Sequence, residues 1–199
     1  MTGRLVYVAG PSGAGKDSLL GWLKNHLPHD APVAFARRTI TRPAAAGGEQ
    51  HDSIDRRGFQ RLREAGIFGL EWEANGLCYG VRHTELTPPS DGGTVIVNGS
   101  RAYLPEAARR FPKMTVVHVT ASVETLRRRL TARGRESAEM VEARVRRALD
   151  FRIPPGLAAI EIHNEDVLAD AGARLLQALR LPHRERHPVA QPLCSHPHG

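Results

Sequence analysis

The chain has 199 residues, of which 41% are hydrophobic and 25% are charged, a composition typical of a globular protein with one well-buried domain. No apolar run approaches the roughly 18 residues that a membrane-spanning helix needs, and the N-terminus lacks the pattern of a signal peptide. Two cysteines, Cys78 and Cys194, are too few for a disulfide framework. We therefore expect a cytoplasmic protein without a membrane partner.

The formal net charge of +7 comes almost wholly from arginine, because lysine occurs only three times among 28 basic residues. Guanidinium groups bind phosphate oxygens in a bidentate manner, so the excess fits a protein that handles several phosphates. A compositional bias of the genome explains the excess equally well, since Gly and Pro are also abundant. Individual arginines must therefore be judged by their position.

Apolar runs of strand type alternate with segments of helical periodicity along most of the chain. The first run, "RLVYVAG", is followed by leucines at helical spacing that end before Pro28. Strands alternating with helices indicate an α/β fold with a parallel sheet flanked by helices. Strands are predicted over 4–10, 32–36, 93–99, 114–120 and 158–164, and helices over 16–27, 101–110, 123–133, 138–150 and 166–180.

The stretch 37–92 interrupts this alternation and is rich in Arg, Gly, Glu and His, with one predicted helix over 56–65. We interpret it as a small substrate-binding lobe of a single domain that covers 1–181, the core of which is formed by 1–36 and 93–181. The tail 182–199 has four prolines, four histidines and little apolar material, which predicts disorder. A metal site built from its histidines and Cys194 is the alternative.

The segment "GPSGAGK" (10–16) matches the G-x-x-x-x-G-K loop of nucleotide-binding proteins, and it follows a predicted strand and opens a predicted helix. Backbone N–H groups of such a loop converge on phosphate oxygens at the helix N-terminus. We expect Lys16 to reach the β- and γ-phosphates of ATP and to act in catalysis. The predicted ATP-binding residues of this segment are Gly10, Pro11, Ser12, Gly13, Ala14, Gly15, Lys16, Asp17 and Ser18.

Asp17 stands where the loop usually has Ser or Thr, the hydroxyl of which binds Mg²⁺. A carboxylate in the first helical turn is favoured by the helix dipole, and Mg²⁺ prefers oxygen ligands. No other predicted strand ends in an obvious carboxylate, since "TVIVNG" ends in Asn98-Gly99. Either Asp17 binds the metal, directly or through water, or the adjacent Ser18 does.

Two predicted helices meet at an Arg-rich corner at Gly134, which is typical of a mobile lid over about 127–147. Arginines of such a lid stabilise the charge of a transferring phosphoryl group. We expect Arg133 and Arg144 to act in catalysis and Arg129, one turn from Arg133, to bind ATP. Arg127 and Arg128 are better explained as a solvated helix face.

The motifs "GPSGAGK", "TITRP" (39–43), "EW" (71–72), "YG" (79–80) and "LRRRLTARGRES" follow the order and spacing of the guanylate kinase superfamily. The resemblance covers roughly residues 4–180. Within that superfamily, "GPSGAGKDSLL", "ITRP", "GLCYGV", "VIVNGSR" and "HVTAS" resemble the ribose 1,5-bisphosphate phosphokinases of phosphonate breakdown. In that family Asp follows the loop lysine, so Asp17 resembles a family signature.

The chain departs from the guanylate kinases at the positions that bind GMP. Ala45 replaces a second arginine after "TRP", the tyrosine after "GE" has no counterpart, and "VNGSR" replaces two aspartates. Glu71, which resembles the guanine-reading glutamate, remains. We expect arginines to surround a small sugar with two phosphates instead, with Arg42 as the first candidate. The predicted acceptor-binding residues are Arg38, Arg42, Glu71, Tyr79, Arg82 and Arg101.

The resemblance implies phosphoryl transfer from ATP, with Mg²⁺, to the 1-phosphate of ribose 1,5-bisphosphate, giving 5-phosphoribosyl 1-diphosphate and ADP. Three alternatives remain: a guanylate kinase acting on GMP or dGMP, a catalytically inactive binding module, and a nucleic-acid-binding P-loop protein. The basic stretches lack interleaved aromatic residues, so no nucleic-acid partner is expected. The sequence is compatible with a monomer or a homodimer.

Overall fold

The computed structural model describes residues 3–43, 50–132, 134, 137–165 and 167–182. Several positions discussed above lie outside these residues, namely Ala45, Arg133 and the tail beyond residue 182. The elements, in chain order, are β1 (Arg4–Ala9), α1 (Lys16–His26), β2 (Val33–Phe35), β3 (Arg38–Ile40), β4 (His51–Ser53), α2 (Arg56–Glu64), β5 (Phe68–Ala74), β6 (Leu77–Arg82), a 3₁₀ helix (His83–Leu86), β7 (Thr94–Asn98), α3 (Leu104–Arg110), β8 (Thr115–Thr120), α4 (Val123–Ala132), α5 (Ala138–Leu149), β9 (Ala158–His163) and α6 (Leu168–Leu179).

The central sheet consists of five strands in the order β2-β7-β1-β8-β9, and every pairing in it is parallel. This arrangement confirms the predicted α/β class with a parallel sheet flanked by helices. Because β1 lies in the middle, the loop that follows it opens at the carboxyl edge of the sheet, where α/β proteins bind their ligands. None of the described helices is both long and apolar enough to cross a membrane.

The two faces of the central sheet bury two separate apolar clusters. One face, with Val8 and Val119, packs against apolar residues of α1, α4, α5 and α6. The other face, with Tyr7 and Val97, packs against α3 and against Leu70 of β5. Since successive strand residues point to opposite faces, the apolar runs of β1 and β8 supply both clusters at once.

The stretch 37–92 contains a second sheet that the sequence analysis did not predict. Its four strands lie in the order β4-β3-β6-β5. The predicted helix is present as α2, which begins after Asp55, whose carboxylate accepts a 2.6 Å hydrogen bond from the backbone N–H of Gly58. Phe59 of α2 packs against Phe68 and Cys78 on one face of this sheet. The opposite face, through Leu70, joins the core of the central sheet.

Candidate active site

The loop between β1 and α1 has the backbone geometry of a phosphate-binding loop. Gly13 and Gly15 have φ angles of 90° and 80°, which favour glycine. A Cβ atom at Gly10 would overlap the carbonyl oxygen of Val119, so this position also requires glycine. The Lys16 ammonium lies over the loop and donates a 2.8 Å hydrogen bond to the Gly10 oxygen. The ammonium group of Lys16, the predicted loop lysine, therefore lies against the backbone of the phosphate loop.

Two side chains support this loop from behind. Asn164, which directly follows β9 and is 2% exposed, donates a 2.7 Å hydrogen bond to the oxygen of Ala14. Arg129 of α4 donates to the oxygens of Gly13 and Asn164, at 3.4 and 2.9 Å, and also to that of Glu165. Arg129 is thus placed beside the loop. Sequence reasoning missed Asn164, although a polar residue at the end of the last predicted strand was a usable signal.

Asp17 lies in the first turn of α1 and is held by a residue of a neighbouring strand. The side-chain amide of Asn98 donates a 2.7 Å hydrogen bond to Oδ1 of Asp17. Asn98 is the last residue of β7 and is 3% exposed, whereas Asp17 and the adjacent Ser18 are exposed. Both predicted metal-binding residues therefore present oxygen atoms next to the phosphate loop.

A cavity of about 480 Å³ adjoins this group on the side of α1 and β2. Its polar lining includes Asp17, Ser18 and Asn98. Lys24 and Arg37 also line it, and the remaining lining residues are mostly apolar. The complete lining is Asp17, Ser18, Leu20, Gly21, Lys24, Phe35, Ala36, Arg37, Gln50, Ile96 and Asn98. The six residues predicted to bind the acceptor are not part of this lining.

Helices α4 and α5 form the segment predicted as a lid, and α5 reaches the phosphate loop. Nη1 of Arg144 donates a 3.0 Å hydrogen bond to Oγ of Ser12. On the solvent side, Arg127 forms an ion pair with Glu142 that joins the two helices. Arg144 therefore contacts the phosphate loop, and Arg127 has a surface partner. The structure does not describe Arg133.

Arg38 and Tyr79 lie together on the face of the second sheet that is turned toward the central sheet. The guanidinium carbon of Arg38 is 5.6 Å from the centroid of the Tyr79 ring. Tyr79 stacks on Trp72, which stacks in turn on Tyr103 of the central core. Burial raises the pKa of Tyr7; the hydrogen bond with the backbone of Ser100 and, to a smaller extent, the nearby charge of Arg38 oppose this effect. Arg38 therefore faces the cleft between the two sheets.

Glu71 is not in this cleft. In the register of β5 and β6, Trp72 pairs with Tyr79 and Glu71 pairs with Gly80, so Glu71 and Tyr79 point to opposite faces of the sheet. The Glu71 carboxylate forms a 3.0 Å ion pair with Arg63 of α2. The structure thus separates two residues that the sequence analysis assigned to one acceptor site.

Arg42 and Arg82 lie at opposite ends of the two inner strands, β3 and β6, and Arg82 is on the same face of the sheet as Glu71. Nη2 of Arg42 lies 3.3 Å from Nδ1 of His51, and the Arg42 backbone oxygen accepts a bond from Nε2 of the same histidine. Arg82 is 4.0 Å from the carboxylate of Asp52, which is also 3.4 Å from Arg37. The contact between His51 and Arg42 was not predicted, because no local sequence pattern indicates that the two side chains lie close together.

Arg101 lies at the start of the segment after β7 and contacts the end of α5. It donates a 3.0 Å hydrogen bond to the oxygen of Arg147, and its guanidinium carbon is 5.4 Å from the centroid of the Phe151 ring. His118 also lies against this ring, at 5.0 Å between centroids. Burial lowers the pKa of Arg101. Burial also lowers the pKa of His118, and the positive charge of Arg101 adds to this effect.

No protein-family model matches the chain. It is 47% identical over 180 residues to ribose 1,5-bisphosphate phosphokinase PhnN of Chromobacterium violaceum, covering 90% of this chain and 95% of that protein. It is 41% identical over 179 residues to the protein of the same name from Janthinobacterium, of which it spans only 39%.

A solved structure of guanylate kinase from Anaplasma phagocytophilum superposes with a TM-score of 0.61 at 20% identity, covering 90% of this chain and 85% of that one. This likeness confirms a P-loop kinase fold of the guanylate kinase type. The identity to curated relatives extends over nearly the whole of the described chain. The chain belongs to the ribose 1,5-bisphosphate phosphokinase family.

Proposed function

We propose that this protein transfers the γ-phosphoryl group of ATP to the 1-phosphate of ribose 1,5-bisphosphate, giving 5-phosphoribosyl 1-diphosphate and ADP, as in phosphonate catabolism. The observation that carries the proposal is the 47% identity, over 90% of the chain, to a protein named for this substrate. The phosphate loop and the arginine that reaches it from α5 support a working kinase over an inactive binding module.

The reaction needs countercharge and positioning more than acid–base chemistry. A phosphate acceptor with a second pKa near 6 is already mostly ionised at neutral pH, so no general base is required. The bond between the γ-phosphorus and the β–γ bridging oxygen breaks as an oxygen of the 1-phosphate bonds to that phosphorus. We assign Lys16 and Arg144 to the charge of the transferring group, and Arg129 to support of the loop that holds ATP.

Magnesium fits the residues at the mouth of the loop. Asp17 and Ser18 present a carboxylate and a hydroxyl in the first turn of α1, and oxygen ligands are those that Mg²⁺ prefers. When bound with ATP, the ion neutralises charge on the β- and γ-phosphates. Asp17 is the better candidate of the two, because Asn98 holds its carboxylate in place.

The acceptor is assigned to the carboxyl edge of the central sheet, between the phosphate loop and the second sheet. Arg38, Arg42 and Arg101 are proposed to line that region and match a ligand with two phosphates, whereas Arg82 lies on the opposite face of the second sheet with Glu71. Arg37 and Lys24, which line the cavity beside Asp17, add two further cations. The acceptor is proposed to use these cations in place of contacts to a base.

GMP fits this site less well. The Glu71 carboxylate, which resembles the group that reads guanine, is engaged by Arg63 and lies on the sheet face away from Tyr79. A site that lacks a full set of partners for the guanine edge discriminates poorly in favour of that base. The paired Glu71 therefore favours the sugar bisphosphate as acceptor.

The product identifies the reaction. ³¹P NMR of the purified protein with Mg²⁺, ATP and ribose 1,5-bisphosphate should show the 1-phosphate signal replaced by two coupled diphosphate signals, with ADP formed in equal amount. ADP that accumulates with inorganic phosphate and an unchanged 1-phosphate signal would mean hydrolysis only, and would contradict the proposed transfer.

A further inference from the structure

The contact between Asp17 and Asn98 joins the two positions that P-loop proteins usually use to hold Mg²⁺. In those proteins a Ser or Thr after the loop lysine and a carboxylate at the end of a neighbouring strand share this task. Here the side-chain types are exchanged. The carboxylate, Asp17, follows the loop lysine, and the neutral side chain, Asn98, stands at the end of the strand.

The position of Asn98 is fixed by the central sheet. Asn98 pairs with Val8 in the register between β1 and β7, and it is 3% exposed. The next residue, Gly99, donates a 2.9 Å hydrogen bond to the oxygen of Val8, and a Cβ atom there would overlap the ring of Tyr7. The amide that donates to Asp17 therefore comes from a rigid, close-packed strand end.

The contact sets the orientation of the Asp17 carboxylate. Asp17 is exposed on the first turn of a helix, where its side chain has several open rotamers. The 2.7 Å bond from Nδ2 of Asn98 to Oδ1 selects one of them. A carboxylate has two oxygens and about four lone-pair sites, so it can accept this bond and still bind a cation.

We propose that Asn98 is a positioning residue that aims the Asp17 carboxylate at the divalent cation of the bound nucleotide, and that the two residues together replace the usual hydroxyl and strand carboxylate. This inference rests on the proposed use of ATP with Mg²⁺. Both arrangements provide one negative charge and one neutral oxygen-bearing side chain near the ion. The exchange predicts that a carboxylate at position 98 can substitute for the one at position 17.

The test is the divalent-cation dependence of nucleotide binding, measured by calorimetry with a non-hydrolysable ATP analogue, with and without Mn²⁺. Asn98→Leu keeps the approximate size and removes the donor, so Mn²⁺-dependent affinity should fall by about tenfold or more, as is usual when the partner of a metal ligand is lost. Affinity without Mn²⁺ should change by less than about threefold. The matched control is Asn25→Leu, an exposed position on α1.

Exchanging the two side-chain types separates positioning from general damage. Asp17→Ser alone should lose most of the Mn²⁺ dependence, and Asp17→Ser combined with Asn98→Asp should recover at least about tenfold of it. An Asn98→Leu protein with unchanged Mn²⁺ dependence, or a double variant no better than Asp17→Ser, would overturn the proposal. No acceptor is present in these titrations, so their outcome does not depend on which acceptor the protein uses.

Discussion

His51 contacts Arg42 through both of its ring nitrogens. Nε2 lies 3.2 Å from the backbone oxygen of Arg42, and Nδ1 lies 3.3 Å from Nη2 of its guanidinium. Because the backbone oxygen can only accept, Nε2 carries the proton and Nδ1 is the acceptor. The same backbone oxygen also accepts a 2.7 Å bond from the hydroxyl of Ser53. Strand β4 therefore holds Arg42, the first candidate for an acceptor phosphate, in one orientation.

Replacing His51 by Ala should weaken binding of the acceptor. We expect the KM for ribose 1,5-bisphosphate to rise about tenfold, equivalent to about 1.4 kcal/mol, because Arg42 loses its side-chain partner. The KM for ATP should change by less than about twofold. Steady-state kinetics with each substrate varied in turn measures both values.

The matched control is His26→Ala, in which a histidine is lost from the last turn of α1, where it stacks on Trp22. The control should leave the acceptor KM unchanged within about twofold. Equal acceptor KM values in the His51→Ala protein and the control would show that Arg42 is either held in another way or not used.

Arg144 should contribute to the rate of transfer more than to substrate binding. We expect Arg144→Ala to lower kcat by about a hundredfold or more, because removing one donor from a charged transition state has this size of effect. Arg127→Ala is the control, since its partner Glu142 lies on the solvent side of the same two helices. The control should keep kcat within about threefold. Equal losses in both variants would assign the effect to lid stability.

Gly10 should be essential to the shape of the phosphate loop. A Cβ atom there would overlap the Val119 oxygen, so Gly10→Ala must displace the loop or β8. We expect ATP affinity to fall more than tenfold and stability to fall by about 1–3 kcal/mol. Gly21→Ala is a stability control, since a Cβ in that helical position meets no atom within 4 Å. Its melting temperature should stay level or rise. Unaltered ATP affinity in Gly10→Ala would contradict the loop assignment.

His118 should make stability fall as the pH drops below about 6.5, the ordinary pKa of histidine. Burial lowers the pKa of His118. The nearby Glu161 carboxylate raises it, and the positive charges of Arg101, His163 and Lys16 lower it further. In the window between 6.5 and the lower pKa of the folded protein, the unfolded chain binds more protons at this residue. The free energy of unfolding therefore decreases with falling pH in that window, by at most about 1.4 kcal/mol per pH unit.

Urea unfolding between pH 5 and 8 measures this effect against His118→Gln, which stays neutral throughout. The wild-type free energy of unfolding should fall more steeply than that of the variant below pH 6.5, and in parallel with it above that value. Parallel curves over the whole range would show that the folded and unfolded states bind the proton equally at His118.

The central fold follows from local patterns that the sequence displays. The apolar runs that predict β1, β7 and β8 are buried on both faces, and such runs stand out against polar helix faces. The run that predicts β9 forms an edge strand that is mostly exposed, with Ile162 as its buried residue. The second sheet was missed because β3 and β4 are three residues long and carry Arg, His and Asp. Asn75-Gly76 between β5 and β6 is a hairpin signal that was available.

The phosphate loop was predictable because its residues are contiguous, whereas the contacts that orient its neighbours are not. Asp17 and Asn98 are 81 positions apart, and Ser12 and Arg144 are 132 apart. No local pattern encodes such pairings. The assignment of Glu71 and Tyr79 to one site shows the same limit, since the register of β5 and β6 decides which face each side chain occupies.

The most direct test of the central claim is a coupled ADP-release assay, with Mg²⁺ and ATP, in which ribose 1,5-bisphosphate and GMP are offered separately at equal concentrations. The proposed function predicts turnover with ribose 1,5-bisphosphate and a rate with GMP no higher than that without an acceptor. Turnover with GMP, but not with ribose 1,5-bisphosphate, would contradict it. That result would mean that Glu71 leaves Arg63 to read a guanine base.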